Sequence, residues 1–185
     1  MRVLPLPAFR DNYIFALEIG AREVALVDPG TADPAREYLA RSDRHLAAIL
    51  VTHHHSDHVG GVLDLLRGAP GIPVFGGAAD RGRIPGQTHF LEDGATVEVA
   101  GRAARVLAVP GHTLGHVAYF FPDADEQGGD LFSGDTIFGC TVGNLFEGTA
   151  DQMFESMRKL RRLPLGTRIW CAHEYTLTYV REELQ

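Results

Sequence analysis

The segment Thr52-His53-His54-His55-Ser56-Asp57-His58 follows directly on the apolar run Ala47-Ala48-Ile49-Leu50-Val51. Such a run predicts a buried strand, and the polar segment begins where that strand ends. In an extended chain, alternate side chains point to the same side. His53 and His55 can therefore converge on one ion, while His54 between them faces away.

A second pair of candidate ligands, Asp57 and His58, follows where the chain turns into a helix, within reach of a second ion beside the first. Imidazole and carboxylate groups bind zinc, and they also bind iron or manganese. The alternative is a histidine-rich surface loop or the remnant of a tag. Tags are terminal and uninterrupted, whereas this cluster is internal and contains an aspartate. We therefore interpret the segment as a metal-binding motif.

Four further polar residues also lie just past the ends of apolar runs, namely Asp28, His112, Asp135 and His173. An aspartate at a strand end is usually a turn former, and a lone histidine is usually structural. Coincidence across five separate segments is a weaker explanation than a shared site. If the strands run in the same direction, all five segments deliver polar groups to one edge of the sheets.

Three His or Asp side chains per metal, with Asp135 shared, would leave room for a bridging water. Two adjacent divalent ions lower the pKa of that water, so hydroxide is available at neutral pH. One ion can also polarise a carbonyl group and stabilise the oxyanion that develops from it. Asp57 and Asp135 are therefore the candidate catalytic carboxylates, and the expected reaction is hydrolysis of an activated carbonyl or phosphoryl group.

The remaining pattern predicts short strands interleaved with helices. The predicted strands cover about residues 2–6, 12–19, 22–28, 46–52, 72–75, 96–99, 102–109, 116–121, 130–133 and 168–171. Helices are expected near 33–41, 59–67, 151–162 and 176–184, with Asp33 capping the first and Pro34 at its first position. Two batches of strands covered by helices favour an α/β four-layer sandwich, αββα, in one domain of residues 1–185.

Composition excludes several classes of protein. The 185 residues are 45% hydrophobic and 22% charged, which is typical of an ordinary globular chain. A net charge of −7 with scattered arginines argues against a nucleic-acid partner. No signal peptide or membrane-length apolar run is visible. Two cysteines, Cys140 and Cys171, are too few for a disulfide framework, so we expect a cytoplasmic protein. We also expect a monomer.

Several motifs resemble those of the glyoxalase II (hydroxyacylglutathione hydrolase) family of the metallo-β-lactamase superfamily, over nearly the whole chain. The His-x-His-x-Asp-His pattern is typical of the whole superfamily, whereas the segments around 146–151 and 173–176 are more specific to the family. The matching segments are Pro7–Tyr13, Val27–Gly30, the histidine cluster with Gly60-Gly61, Pro110–His116, Gly134–Thr136, Phe146–Ala150 and Ala172–Thr176.

The resemblance implies a metallo-β-lactamase fold and a role for each candidate residue. It assigns His53, His55 and His112 to the first metal, Asp57, His58 and His173 to the second, and Asp135 to both. Asp28 resembles a carboxylate that orients a ligand histidine. Family members use a metal-bridging hydroxide to split the thioester S-D-lactoylglutathione into D-lactate and glutathione. The implied cofactors are two divalent ions, zinc first, with iron or manganese also possible for this ligand set.

Residues for substrate binding are also implied, with departures from the family pattern. Tyr175 matches a residue that contacts glutathione. Asn144 stands where the family often has Lys or Arg, Phe146 where some members have Tyr, and the chain stops at Gln185, before a C-terminal helical domain. These departures leave a smaller thioester open as the substrate. The residues also leave open a persulfide dioxygenase with a single iron, a β-lactamase-type hydrolase and a non-catalytic module.

Overall fold

A computed structural model describes residues 1–183 and shows two β-sheets packed face to face, with helices outside them. The first sheet has the strand order β1-β2-β3-β4-β5-β6. Its strands are β1 (Arg2–Ala8), β2 (Asn12–Glu18), β3 (Glu23–Val27), β4 (His45–Leu50), β5 (Val74–Gly77) and β6 (His89–Leu91).

The second sheet has the order β13-β10-β9-β8-β7, and a two-stranded ribbon, β11 with β12, stands apart from it. These strands are β7 (Thr96–Val99), β8 (Arg102–Ala108), β9 (Val117–Pro122), β10 (Gly128–Gly134), β11 (Ile137–Phe138), β12 (Thr141–Val142) and β13 (Gly166–Cys171). The helices are α1 (Asp33–Ser42), α2 (Ser56–Val59), α3 (Val62–Gly68), α4 (Ala150–Leu160) and α5 (Thr176–Glu183).

Side-chain alternation along the inner strands explains the layers. In β3, Val24 and Leu26 pack in the core beneath α1 and α3, whereas Ala25 and Val27 pack in the core between the sheets. Successive strand residues point to opposite faces, so a strand that is apolar at every position is buried on both sides. The αββα fold predicted from the sequence is therefore present.

Strand directions bring the candidate residues to one edge. β3 pairs in parallel with β4, and β10 pairs in parallel with β13. β8 and β10 both pair antiparallel with β9, so β8 runs in the same direction as β10. The loops that follow these strands carry the five polar segments, as the sequence predicted.

Local details differ from the predictions. The helix predicted at 59–67 is two helices, α2 and α3, separated by Gly60-Gly61. The predicted cap at Asp33 is wrong, because Ala32 is the N-cap and makes no side-chain capping bond, and Asp33 lies inside α1. β6, β11 and β12 were not predicted, because strands of two or three residues carry too little periodicity. The last predicted helical residue, 184, lies outside the described range.

Both cysteines, Cys140 and Cys171, are free thiols. Over residues 1–183, none of the helices combines the length and the apolar character required to cross a membrane.

Substitution of Phe132 tests the packing of the core between the sheets, because this side chain is fully buried and its ring centroid lies 5.5 Å from that of Phe15. Phe132→Ala should lower the free energy of unfolding by about 3–5 kcal/mol, because it removes a large buried side chain and leaves a cavity. Phe154→Ala is the matched control, since Phe154 is 63% exposed, and it should change stability by less than about 1 kcal/mol. Urea denaturation of both variants makes the comparison, and equal losses would contradict this account of the core.

Candidate metal centre

The structure brings all seven predicted metal ligands together at the shared edge of the two sheets. Their donor atoms form three overlapping groups in which all atoms lie within 4.8 Å of one another. The groups are His53 with His55 and His112, His53 with His58 and Asp135, and Asp57 with His58 and His173. We call His53, His55 and His112 the first donor set, and Asp57, His58 and His173 the second donor set.

In the first donor set, three ring nitrogens face one another. Nδ1 of His55 lies 3.0 Å from Nε2 of His53 and 3.0 Å from Nε2 of His112. This arrangement realises the predicted i, i+2 convergence, because His53 and His55 stand on the same side of an extended segment. His54 faces away from both, as predicted, and its Nδ1 donates to Asp80 Oδ1 at 2.9 Å.

The outer hydrogen bonds fix which nitrogens carry protons. Nδ1 of His112 donates to the main-chain oxygen of Asn144 at 2.8 Å. The Thr52 hydroxyl donates to Asp28 at 2.7 Å, so it accepts from Nδ1 of His53 at 3.1 Å. The Nε2 atoms of both rings therefore present lone pairs inward, and His55 has at most one proton to offer between them. A cation at this point would satisfy all three nitrogens.

In the second donor set, two imidazoles and a carboxylate converge. Nε2 of His58 lies 3.5 Å from Oδ2 of Asp57, and Nε2 of His173 lies 3.4 Å from the same oxygen. Each ring again directs its Nδ1 outward to a carboxylate, at 3.1 Å to Asp28 for His58 and at 2.8 Å to Asp11 for His173. Such carboxylate–imidazole pairs orient metal ligands and raise their basicity.

Asp135 lies between the two sets and gives one oxygen to each. Its Oδ2 is 3.4 Å from Nε2 of His112, whereas its Oδ1 is 3.4 Å from Nε2 of both His58 and His173. Asp135 Oδ1 and His58 Nε2 are buried and make no hydrogen bond within residues 1–183. Buried polar atoms are nearly always satisfied, so these orphans fit a pair of cations.

The electrostatics of the site favour positive charge between the sets. The imidazoles of His173 and His58, 3.4 and 3.5 Å from Oδ2 of Asp57, hold the pKa of that carboxyl far below its usual range. Burial alone would raise the pKa of Asp135, but His58 and His173 lower it far below the ordinary value. Burial would lower the pKa of His173, yet Asp135 and Asp57 raise it to about 10. The carboxylates are thus ionised, as metal ligands must be.

Three further residues orient the candidate ligands, and two of them, Asp11 and Asn12, were not predicted from the sequence. Besides Asp11, Asn12 donates through Nδ2 to Asp57 Oδ2 at 2.9 Å. The main-chain N–H of Asp135 donates to Nε2 of His116 at 3.1 Å. Burial lowers the pKa of His116 to about 3, so this ring is neutral and can accept that bond. His116 therefore contacts a candidate ligand without joining a donor set.

A cleft of about 390 Å³ opens over the donor atoms, and all three predicted substrate residues line it. The ring of Tyr175 stacks on His173 at 5.0 Å between centroids. Phe146 is 66% exposed and stands edge-on to His55 at 5.4 Å. Asn144 lines the same cleft, while its main-chain oxygen holds His112. A larger apolar groove of about 570 Å³ lies between α4 and β13. No His or carboxylate lines it, so it has no side chain of the kind that binds a metal ion in the donor sets.

Comparison with known proteins places this geometry in a family. Residues 9–173 match the metallo-beta-lactamase superfamily. A hydroxyacylglutathione hydrolase of Synechococcus sp. (strain JA-3-3Ab) is 56% identical over 182 residues, which cover 98% of this chain and 71% of the relative.

Solved structures agree with this result. BLEG-1 B3 metallo-beta-lactamase superimposes with a TM-score of 0.78 at 26% identity, covering 94% of this chain and 91% of that one. The di-iron-bound form of TTHA1623 gives a TM-score of 0.74 at 28% identity, covering 94% and 92%. The chain therefore belongs to the metallo-β-lactamase superfamily and, within it, to the hydroxyacylglutathione hydrolases.

Proposed function

We propose that this protein hydrolyses the thioester bond of 2-hydroxyacylglutathiones, with S-D-lactoylglutathione as its substrate, at a centre of two divalent ions. The observation that carries the proposal is the division of the Asp135 carboxylate, with one oxygen 3.4 Å from a nitrogen of the first donor set and the other 3.4 Å from two nitrogens of the second. The 56% identity to a hydroxyacylglutathione hydrolase supports the choice of substrate.

The first donor set would hold one ion, the second donor set would hold the other, and Asp135 would contact both. Imidazole nitrogens and carboxylate oxygens suit zinc, and they suit iron and manganese as well. When bound, two such ions supply Lewis acidity and lower the pKa of a water enough to provide hydroxide near neutral pH. Asp57 and Asp135 would act as catalytic residues, because each would touch a bound ion.

The chain's own residues orient the metal ligands, and the reaction itself requires little acid catalysis. Hydrolysis consumes one water, forms a carboxylate and breaks the carbon–sulfur bond. A thiol has an ordinary pKa of about 8.5, so the thiolate departs without prior protonation. Asn12 and Asp11 keep Asp57 and His173 in place through bonds of 2.9 and 2.8 Å, and Asp28 does the same for His58 at 3.1 Å.

Tyr175, Phe146 and Asn144 would receive the substrate. Burial raises the pKa of Tyr175 to about 12, so its hydroxyl stays protonated and can donate a hydrogen bond to a carboxylate or carbonyl of the glutathione portion. Phe146 offers an exposed apolar face beside the first donor set. Cytoplasmic location and the monomeric state remain predictions from the sequence.

The proposed reaction and cofactor are tested together by a thiol-trapping assay. Protein loaded with metal should release thiol from S-D-lactoylglutathione well above the buffer rate and contain two metal ions per chain. A chelator should abolish turnover, and added zinc, iron or manganese should restore it. One iron per chain with no thiol release would contradict the proposal and favour a mononuclear dioxygenase, whereas faster turnover of simple thioesters would favour a smaller substrate.

Asp135→Asn tests the shared carboxylate. The amide cannot supply two anionic oxygens, so we expect both ions to bind more weakly and kcat/KM to fall at least about 100-fold, the upper range for orienting partners alone. Asp43→Asn is the matched control, because Asp43 has an 87% exposed side chain paired with Arg22. Steady-state kinetics and metal analysis of both variants give the comparison, and an active, metal-replete Asp135→Asn protein would overturn the assignment.

Asn144→Arg tests glutathione recognition. The family often has a cation here, and a guanidinium at the cleft should attract a substrate carboxylate and lower KM for S-D-lactoylglutathione about two- to fivefold, the size of an exposed ion pair. The gain should shrink at high salt and be absent with an uncharged thioester. Asn144→Gln keeps a polar side chain without charge and serves as the control. An equal change in both variants, or none in either, would show that position 144 does not contact the anionic part of the substrate.

A further inference from the structure

Four residues form a connected group outside the donor sets, and we call His54, Asp80, Arg83 and Glu147 the outer polar cluster. His54 is the residue between the ligands His53 and His55, and its Nδ1 donates to Asp80 at 2.9 Å. Asp80 follows β5 and is completely buried. A buried carboxylate is costly unless it has a partner, so this contact fixes the direction in which the His54 ring points.

Arg83 connects the two ends of the outer polar cluster. Its guanidinium contacts Nε2 of His54 and lies 3.6 Å from Asp80 Oδ1. The same guanidinium donates to Glu147 Oε1 at 2.5 Å. Arginine can only donate, so Nε2 of His54 accepts and the ring proton lies on Nδ1, toward Asp80. The four side chains therefore have mutually consistent hydrogen-bonding roles.

Glu147 connects the outer polar cluster to the loop that contains His112. Its second oxygen, Oε2, accepts from the main-chain N–H of Leu114 at 2.8 Å. The main-chain N–H groups of Phe146 and Glu147 both donate to the oxygen of His112, at 3.1 and 3.4 Å. Asn144 holds the His112 ring from the same segment. Glu147 is therefore attached to both loops that fix His112.

The outer polar cluster contacts the surroundings of only one donor set. It reaches His53 and His55 through their neighbour His54, and His112 through Glu147. The second donor set has other partners, since Asp28, Asp11 and Asn12 bind its three members. Within the described part of the chain, no hydrogen bond or ion pair joins the cluster to Asp57, His58 or His173.

We propose that the outer polar cluster is a positioning device for the first donor set, which sets the affinity of that set for its metal ion and leaves the second set unaffected. The inference rests on the proposed dinuclear centre. Its members are positioning residues, since they act through the backbone and rings of the ligands. Loss of partners that orient metal ligands typically weakens metal binding about 10- to 100-fold.

The test uses the full chain loaded with zinc and a competing chelator. Glu147→Gln should release one of two zinc ions at about 10-fold lower chelator concentration, with the second ion released as in wild type. Asp80→Asn should act in the same direction. Asp11→Asn should weaken the other ion instead. Glu155→Gln is the matched control, since Glu155 is an exposed glutamate paired with Arg158 on α4, and its release curve should equal that of wild type.

Two further measurements separate positioning from loss of structure and from failure of the proposed function. Anomalous diffraction at the zinc edge from partly depleted crystals should show lower occupancy at the first donor set for Glu147→Gln and at the second for Asp11→Asn. Thermal unfolding of the metal-free proteins should be nearly equal for wild type and Glu147→Gln. Unchanged release curves in Glu147→Gln and Asp80→Asn, or equal weakening of both ions, would overturn the inference alone. Wild-type protein that binds fewer than two zinc ions would overturn the dinuclear proposal as well.

Discussion

The carboxylate of Asp135, facing imidazoles on both sides, is the contact on which the rest of the centre depends. Its position requires an irregular strand end, because the pairing of β10 with β13 shifts register between Phe132 and Gly134. Gly134 has a φ of 50° and lies so close to Thr52 that a Cβ would come within 2.4 Å of its hydroxyl. Only glycine is tolerated there without strain, and the turn it makes places Asp135 beside the two donor sets at the edge of the sheets.

The seam between the two sheets holds the site from both sides. The hydroxyl of Tyr119, in the second sheet, donates to the main-chain oxygen of Val51, in the first, at 2.8 Å. Asn12, at the start of β2, forms a bridge with His173. Gly30 approaches the Asp57 main chain so closely that a Cβ would lie 1.8 Å from its oxygen. These contacts hold the loops that carry the donor atoms against the two sheets, and such support is a condition for precise metal geometry.

The seven candidate ligands could be predicted because their signal is local. The i, i+2 spacing of His53 and His55, and the recurrence of His or Asp after apolar runs, are visible in the sequence. Partners that act across the fold have no such signal. Asp11 contacts His173 although 162 positions separate the two residues in the sequence. Asp80 lies in a short turn, which has no periodic pattern in the sequence. The oxygen that orients His112 belongs to the main chain of Asn144, and a main-chain acceptor leaves no trace in residue type.

Position 144 has one role that the structure shows and one that we propose, and the two reside in different atoms. Its main-chain oxygen holds the His112 ring at 2.8 Å, and any residue with the same backbone conformation supplies that oxygen. Its side chain lines the cleft, where we propose that it meets the substrate. The side chain can therefore change from a cation to an amide without disturbing the first donor set. This separation explains how the chain keeps all seven candidate donors together while residue 144 differs from the cation that the family resemblance predicts. A change of side chain at this position should therefore alter substrate binding rather than the candidate metal centre.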